Sequence, residues 1–243
     1  MDFKIELVGI TIAIHSLYEE VFGLCKDYLS EGEEAFSVHI AQSDIDFERE
    51  KSMREAAIEG IPCFDYPAPY LETLAVYRKI AVKLLDFDIL LLHGSAVCVG
   101  AQAFLFTAPS GVGKTTHSRL WLENIAGAFI INGDKPLVKI TDEGCIVYGT
   151  PWSGKEGINQ NTSAPLQAVC FLERGEKNKI NKMNYFEIIP FLLQQAYRPD
   201  SAEAMEKTMD LVKKFGGKVN FYKLRCNMEP EAARIAYEGM KSE

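Results

Sequence analysis

Close pairs of cysteines are missing from this chain: its six, Cys25, Cys63, Cys98, Cys145, Cys170 and Cys226, are scattered without a C-x-x-C. That spacing argues against a zinc ribbon, a thioredoxin-like redox motif and a disulfide framework. Three of the six lie in apolar, strand-like runs, where a free thiol behaves as a small hydrophobe. Long apolar runs are also missing, since none approaches the roughly 20 residues that span a bilayer. The start, "MDFKIELVGITIAIHS", has no basic flank and no small-residue cleavage site, so a cytoplasmic protein with no membrane partner is expected. Basic residues are in deficit: 26 Lys and Arg against 34 Asp and Glu give a net charge of −8. A nucleic-acid partner needs a basic surface and is therefore not expected. No repeat or low-complexity tract interrupts the 243 residues. Their 47% hydrophobic and 25% charged content is that of an ordinary globular protein, large enough for one big domain or a domain with an appendage.

What is present alternates between strand-like and helix-like patterns. "FKIELVGITIAI" alternates as a strand, "SLYEEVFGLCKDYL" follows at helical spacing, and "AFSVHIAQ" is a second strand. "FEREKSMREAAIEG" reads as a polar helix or an extended arm, and "IPCFDYPAPY" as a Pro-rich turn. Residues 1–67 therefore read as a small α+β appendage, and 68–243 as the main domain, with one continuous domain as the alternative. In the second part "YLETLAVYRKIAVKLLDFD" is an amphipathic helix with Leu74, Tyr77, Ile80, Ala81 and Leu84 on one stripe. "ILLLHGSAVCVG" is a continuous apolar run, which predicts one buried central strand. "QAFLFTA" returns as another, and four more candidates follow: "AFIINGD", "PLVKIT", "CIVYGTP" and "LQAVCFLERG". Helices are expected over 184–197, 201–215 and 230–241, with a strand at "VNFYKLRC". The fold class is α/β with a mixed sheet, because hairpin-like spacings are frequent.

Between "AFLFT" and a helix lies "APSGVGKTTHSRLW", residues 108 to 121. It matches the phosphate-cradling motif G-x-x-x-x-G-K-[ST] except for Ala108 in place of the first glycine. Successive backbone N–H groups of such a loop point into a concavity, and the helix N-terminus adds partial positive charge. Ser110, Gly111, Val112, Gly113, Lys114, Thr115 and Thr116 would hold a nucleotide. Lys114 would reach the β- and γ-phosphates, and Thr115 would carry Mg²⁺. Pro109 pushes Ala108 toward extended backbone, so Ala108 fits a strand end where glycine is not needed. The core G-x-G-K-[ST] arises by accident in about 1–2% of chains this long, and the strand and helix flanks make accident rarer still.

Two neighbours narrow the family. His93-Gly94 ends an apolar run about fifteen residues before the loop, and "INGDKPLV" follows about twenty after it. This ordered set, over roughly residues 88 to 173, resembles the HPr kinase/phosphorylase and phosphoenolpyruvate carboxykinase superfamily, and in particular the HPr serine kinase catalytic domain and its compact relatives. The resemblance implies ATP, or another nucleoside triphosphate, and Mg²⁺ as cofactors. It implies that His93 lies near the transferred phosphate, that Lys114 and Thr115 serve phosphate and metal, and that Asp134 binds metal and activates a hydroxyl acceptor. The acceptor would be a small molecule, a peptide or a protein serine. Relatives often assemble, which leaves a homo-oligomer open. The family often shows two adjacent aspartates where this chain has Gly133-Asp134, so a non-catalytic nucleotide sensor or assembly module is the alternative. Asp134 also has a bland reading as a turn residue in N-G-D-K-P.

The long connection "YGTPWSGKEGINQN" supplies two further candidates: Trp152 to cover a base or substrate and Lys155 to neutralise an anion, against an ordinary loop with Trp152 docked on the core. His117 reads as a surface or packing residue, and Arg174 as a partner of Glu173 or Glu176.

Overall fold

In a computed structural model that describes residues 1–241, the chain divides into two compact units, Met1–Lys83 and Leu84–Glu243. The division falls after Lys83, not before Ala68, so the helix over 68–84 is counted almost wholly with the first unit.

The first unit contains β1 (Asp2–Leu7), β2 (Ile10–His15), α1 (Glu20–Cys25), β3 (Phe36–His39), α2 (Gln42–Glu59) and α3 (Ala68–Leu84). The alternating run at the N-terminus is two strands, not one. Val8 and Gly9 both have positive φ (57° and 71°), the backbone twist that closes a two-residue hairpin. β1 and β2 pair antiparallel, and β3 adds parallel to β2. "FEREKSMREAAIEG" falls in a helix: the Asp44 carboxylate accepts the Ala41 N–H at 3.0 Å at its start, and Gly60 ends it in left-handed backbone. Arg78 and Lys79 of α3 reach Asp44 of α2 at 3.1 and 2.7 Å, joining the two helices through charge.

The second unit runs β4 (Ile89–Leu91), β5 (Ser95–Val99), β6 (Gln102–Thr107), α4 (Lys114–Asn124), β7 (Ala128–Asn132), β8 (Leu137–Ile140) and β9 (Cys145–Tyr148). It continues with β10 (Ser163–Arg174), β11 (Lys179–Lys182), α5 (Tyr185–Gln195), α6 (Ala202–Gly216), β12 (Asn220–Cys226) and α7 (Pro230–Met240). Its mixed sheet has the order β4-β8-β9-β10-β6-β5-β7, with β12 also paired to β10 and β11 to β12. The twelve-residue β10 joins the two halves. Its first residues pair antiparallel with β9, and the rest run parallel to β6 and β12.

Alternation along β10 and β12 sends Cys170, Leu172 and Leu224 to one face, where Phe104, Phe106 and Trp121 are buried with the alanines of α7. Trp121 meets Phe104 and Phe106 at 5.1 and 5.0 Å between ring centroids. Phe171 and Phe221 occupy the intervening positions and so face the other side. There Phe221 meets Phe215 of α6 edge-on, at 5.4 Å. Helices therefore cover both faces of this sheet, as a mainly apolar set of strands requires.

"ILLLHGSAVCVG" is not one strand. β4 pairs with β8 and β5 with β6 and β7, so the chain changes partners over Leu92–Gly94. Both halves are apolar because both are buried, and hydrophobicity alone does not mark the exchange. "KINK", too polar to read as a strand, forms β11 by pairing antiparallel with β12.

Candidate functional site

The glycine-rich loop lies between β6 and α4. Ala108 is 2% exposed and continues from the strand with negative φ, as its place before Pro109 predicts. Gly111 and Gly113 have φ of 76° and 126°, which side chains rarely tolerate. The first intrahelical bond of α4 runs from His117 N–H to the Gly113 carbonyl at 2.9 Å. The N–H groups of Lys114, Thr115 and Thr116 therefore precede the helix's own acceptors. Lys114 is buried and folds back, donating its ammonium to the Ala108 carbonyl at 3.0 Å. Burial lowers its pKa, and the nearby Asp134 charge works in the opposite direction. Ser118 anchors the helix below through a 2.7 Å hydroxyl contact with Ser95 of β5.

The change of partner at Leu92–Gly94 puts His93 beside this loop. The β4–β8 register continues past the strand, with Leu92 N–H on the Pro136 carbonyl at 3.2 Å and Gly94 N–H on that of Asp134 at 2.9 Å. On the other side the Thr107 hydroxyl, one residue before Ala108, donates to the His93 carbonyl at 2.7 Å. Glycine is needed at 94 because a Cβ there would stand 2.9 Å from the Phe106 carbonyl oxygen. Backbone pairing thus brings His93 Nε2 to 3.3 Å from Asp134 Oδ1, while the Lys135 ammonium stands 3.8 Å from Oδ2. Burial pushes the Asp134 carboxyl up, but the His93 hydrogen bond and the charges of Lys135, His93 and Lys114 outweigh it. The net pKa is lowered. Asp134 is an anion at neutral pH, within electrostatic reach of Lys114.

Asn132 positions that anion. It is wholly buried at the end of β7. Its Oδ1 accepts the N–H groups of Asp134 and Lys135 at 2.9 and 2.7 Å. Its Nδ2 donates to the carbonyl and hydroxyl of buried Thr150 at 3.0 and 3.1 Å. The Asn-Gly pair is therefore a turn signal and a site determinant together, because Asn hydrogen-bonds to backbone two and three residues on. Gly133 donates its N–H to the Ile158 carbonyl. A Cβ at 133 would lie 3.3 Å from the Ser153 carbonyl oxygen and 3.4 Å from that of Ile158. This backbone leaves little room for a second aspartate.

The connection over 149–162 is pinned at both sides. Gln160 N–H bonds to Ile131, and Glu156 takes two 2.7 Å hydrogen bonds from Arg119 of α4. Trp152 is only 8% exposed, which fits docking on the core and does not present its ring as a platform. Lys155 is exposed. His117 is buried, and burial pushes its pKa down to about 4. Arg174, expected to pair with a neighbouring glutamate, donates instead to the carbonyls of Gly111 and, at 3.2 Å, Val112. Sequence patterns also give no sign of Thr107 or Thr150, whose roles depend on which strands pair.

A divalent cation of the magnesium kind keeps several waters and takes one or two protein oxygens along with phosphate. Asp134 supplies an ionised carboxylate, and Thr115 an exposed hydroxyl at the helix start. Among the described residues no group of three or more His, Cys, Asp or Glu is placed to hold a metal without such help. No helix among them is long and apolar enough to cross a membrane.

No family model matches the chain. No curated protein matches it either. Among solved structures it is similar to one titled "Structure of the Hpr(Ser) kinase/phosphatase from Coxiella burnetii", with 9% sequence identity and a TM-score of 0.35. That similarity covers 61% of this chain and 95% of the other. So distant a likeness assigns neither activity nor substrate, and the chain's own residues must carry both.

Proposed function

We propose that this chain is a phosphate-loop phosphotransferase of the HPr-kinase kind, which moves the γ-phosphoryl group of ATP, or of another nucleoside triphosphate, to a hydroxyl. The acceptor would be a small molecule, a peptide or a protein serine. One observation carries the proposal: the loop that ends in Lys114 lies within electrostatic reach of a carboxylate, Asp134, which is itself held by His93. Phosphoryl transfer is mostly positioning and charge stabilisation. The loop N–H groups and Lys114 would hold the phosphates, with Ser110, Val112 and Thr116 lining the same loop. Thr115 and Asp134 would hold Mg²⁺, which when bound offsets phosphate charge. Asp134 would also accept the hydroxyl proton as the acceptor oxygen bonds to phosphorus and the bond from phosphorus to the β-phosphate oxygen breaks. His93 would keep Asp134 oriented and ionised.

Calorimetry with Mg·ATP tests the first half. Lys114→Ala should remove binding, and an unchanged affinity would refute the proposal. Asp134→Asn tests the second half. It should retain measurable Mg·ATP binding through the loop and Lys114, yet lower transfer to a panel of small alcohols and serine peptides by about 10²–10⁴-fold, the usual worth of a positioned base. The tight surroundings of Gly133, which disfavour a second carboxylate, favour a non-catalytic nucleotide sensor as the alternative. A sensor would bind ATP and show no transfer that Asp134→Asn could lower.

A further inference from the structure

A cleft of about 410 Å³ opens beside the loop. It lies among the loop, the first turns of α4 and the C-terminal ends of β10 and β12. β6, β10 and β12 run parallel, so the loop and this cleft share the carboxyl edge of one parallel set. Ligands of open α/β sheets collect at such an edge. Neither His93 nor Asp134 lines the cleft, so it is distinct from the carboxylate pair.

The walls suit a flat, partly apolar group. Val112 and Leu120 line it from the loop and α4, and Leu172 from β10. Met228, a 76% exposed methionine that no core contact explains, stands at the rim. Methionine is a pliant apolar surface for a ring. The rim itself is braced, because Asn227 donates to the Glu176 carbonyl and accepts from the Glu229 N–H. Arg174 ties this wall to the loop through the carbonyls of Gly111 and Val112.

His117 adds a polar group. The Trp121 indole N–H, which can only donate, bonds to His117 Nε2 at 3.1 Å. The proton of the neutral ring therefore sits on Nδ1. That atom is buried and has no hydrogen-bond partner among the described residues, although the residue forms part of the cleft wall. An unpaired buried donor is rare and asks for an explanation. An acceptor on a ligand, such as a base nitrogen, a carbonyl or a ribose oxygen, would supply one.

We infer that this cleft receives the base and ribose of the nucleotide whose phosphates the loop would hold. The inference rests on the phosphate-loop function proposed above and extends it to the nucleoside. Its test separates the two by comparing Mg·ATP with Mg·tripolyphosphate, which has phosphates and no nucleoside, on the full chain by calorimetry. The wild type should bind both, with ATP tighter by about tenfold or more. Met228→Glu at the exposed rim and His117→Phe inside should each erase most of that advantage and leave tripolyphosphate within about twofold. ATP no tighter than tripolyphosphate, or both variants with wild-type ATP affinity, would overturn the cleft assignment alone. Failure of the wild type to bind either compound would overturn the phosphate loop and the cleft together.

Discussion

His117 should make the C-terminal unit sensitive to mild acid. Its ring is 2% exposed, and burial, with no compensating carboxylate, pushes its pKa from 6.5 to about 4. Protonation would also set a ring N–H against the Trp121 indole N–H that now donates to Nε2. The direction follows from linkage. The unfolded chain takes up a proton below pH 6.5, and the folded chain does not until pH falls to about 4. Stability that is complete above 6.5 is therefore lost progressively across that window. The full gap corresponds to about 3 kcal/mol, of which about 2 kcal/mol falls between pH 7 and pH 5. Urea unfolding followed by far-ultraviolet circular dichroism at several pH values measures it, because substitution beside Trp121 would disturb fluorescence. His117→Phe should be less stable than wild type near pH 7, having lost the indole's acceptor, and the deficit should shrink toward pH 5. Parallel wild-type and variant profiles would refute both the burial of this ring and its neutral state.

Two other substitutions probe how the site is held. Asn132→Ala strands two backbone N–H groups and the Thr150 carbonyl, which should cost about 3 kcal/mol. Urea unfolding read by tryptophan fluorescence reports the right unit, since Trp121 and Trp152 both lie in it; a loss under about 1 kcal/mol would contradict the assigned hydrogen bonds. Arg174→Ala frees the loop carbonyls of Gly111 and Val112. It should weaken Mg·tripolyphosphate binding by about tenfold through lost preorganisation and leave the unfolding midpoint in place, and calorimetry on a folded variant would show an unchanged affinity if the clamp is idle.

How much of this was legible in the sequence depends on how local each cause is. The loop was legible because its requirements are local: a strand before it, glycines where φ turns positive, and a helix that starts on lysine. Ala108 could replace glycine for an equally local reason, the extended backbone before Pro109. Most helices of the second unit were legible from periodicity, and the strands "AFIINGD", "PLVKIT", "CIVYGTP" and "VNFYKLRC" were found as well. The hairpin of β1 and β2 hides in an unbroken alternation, in which Val8-Gly9 is the only turn signal. The break between β4 and β5 left no compositional trace, because a residue buried against β8 and one buried against β6 are equally apolar.

That break also explains why the site was only half visible. His93 and Asp134 are 41 residues apart in sequence, and they meet because Gly94 pairs with Asp134 across the extended β4–β8 register. Asn132 reads as a turn former in N-G-D-K-P, but its second duty requires Thr150, which arrives from the far end of β9. Arg174 looked like one member of a surface ion pair because its neighbours in sequence are acidic. In space the loop carbonyls of Gly111 and Val112 take its hydrogen bonds, and a guanidinium can bind two of them at once while Glu176, two residues away, stays exposed. Phosphate-binding geometry is written within one strand–loop–helix segment. The groups that would make such a loop catalytic come from other strands, and only the pairing of those strands says which residues they are.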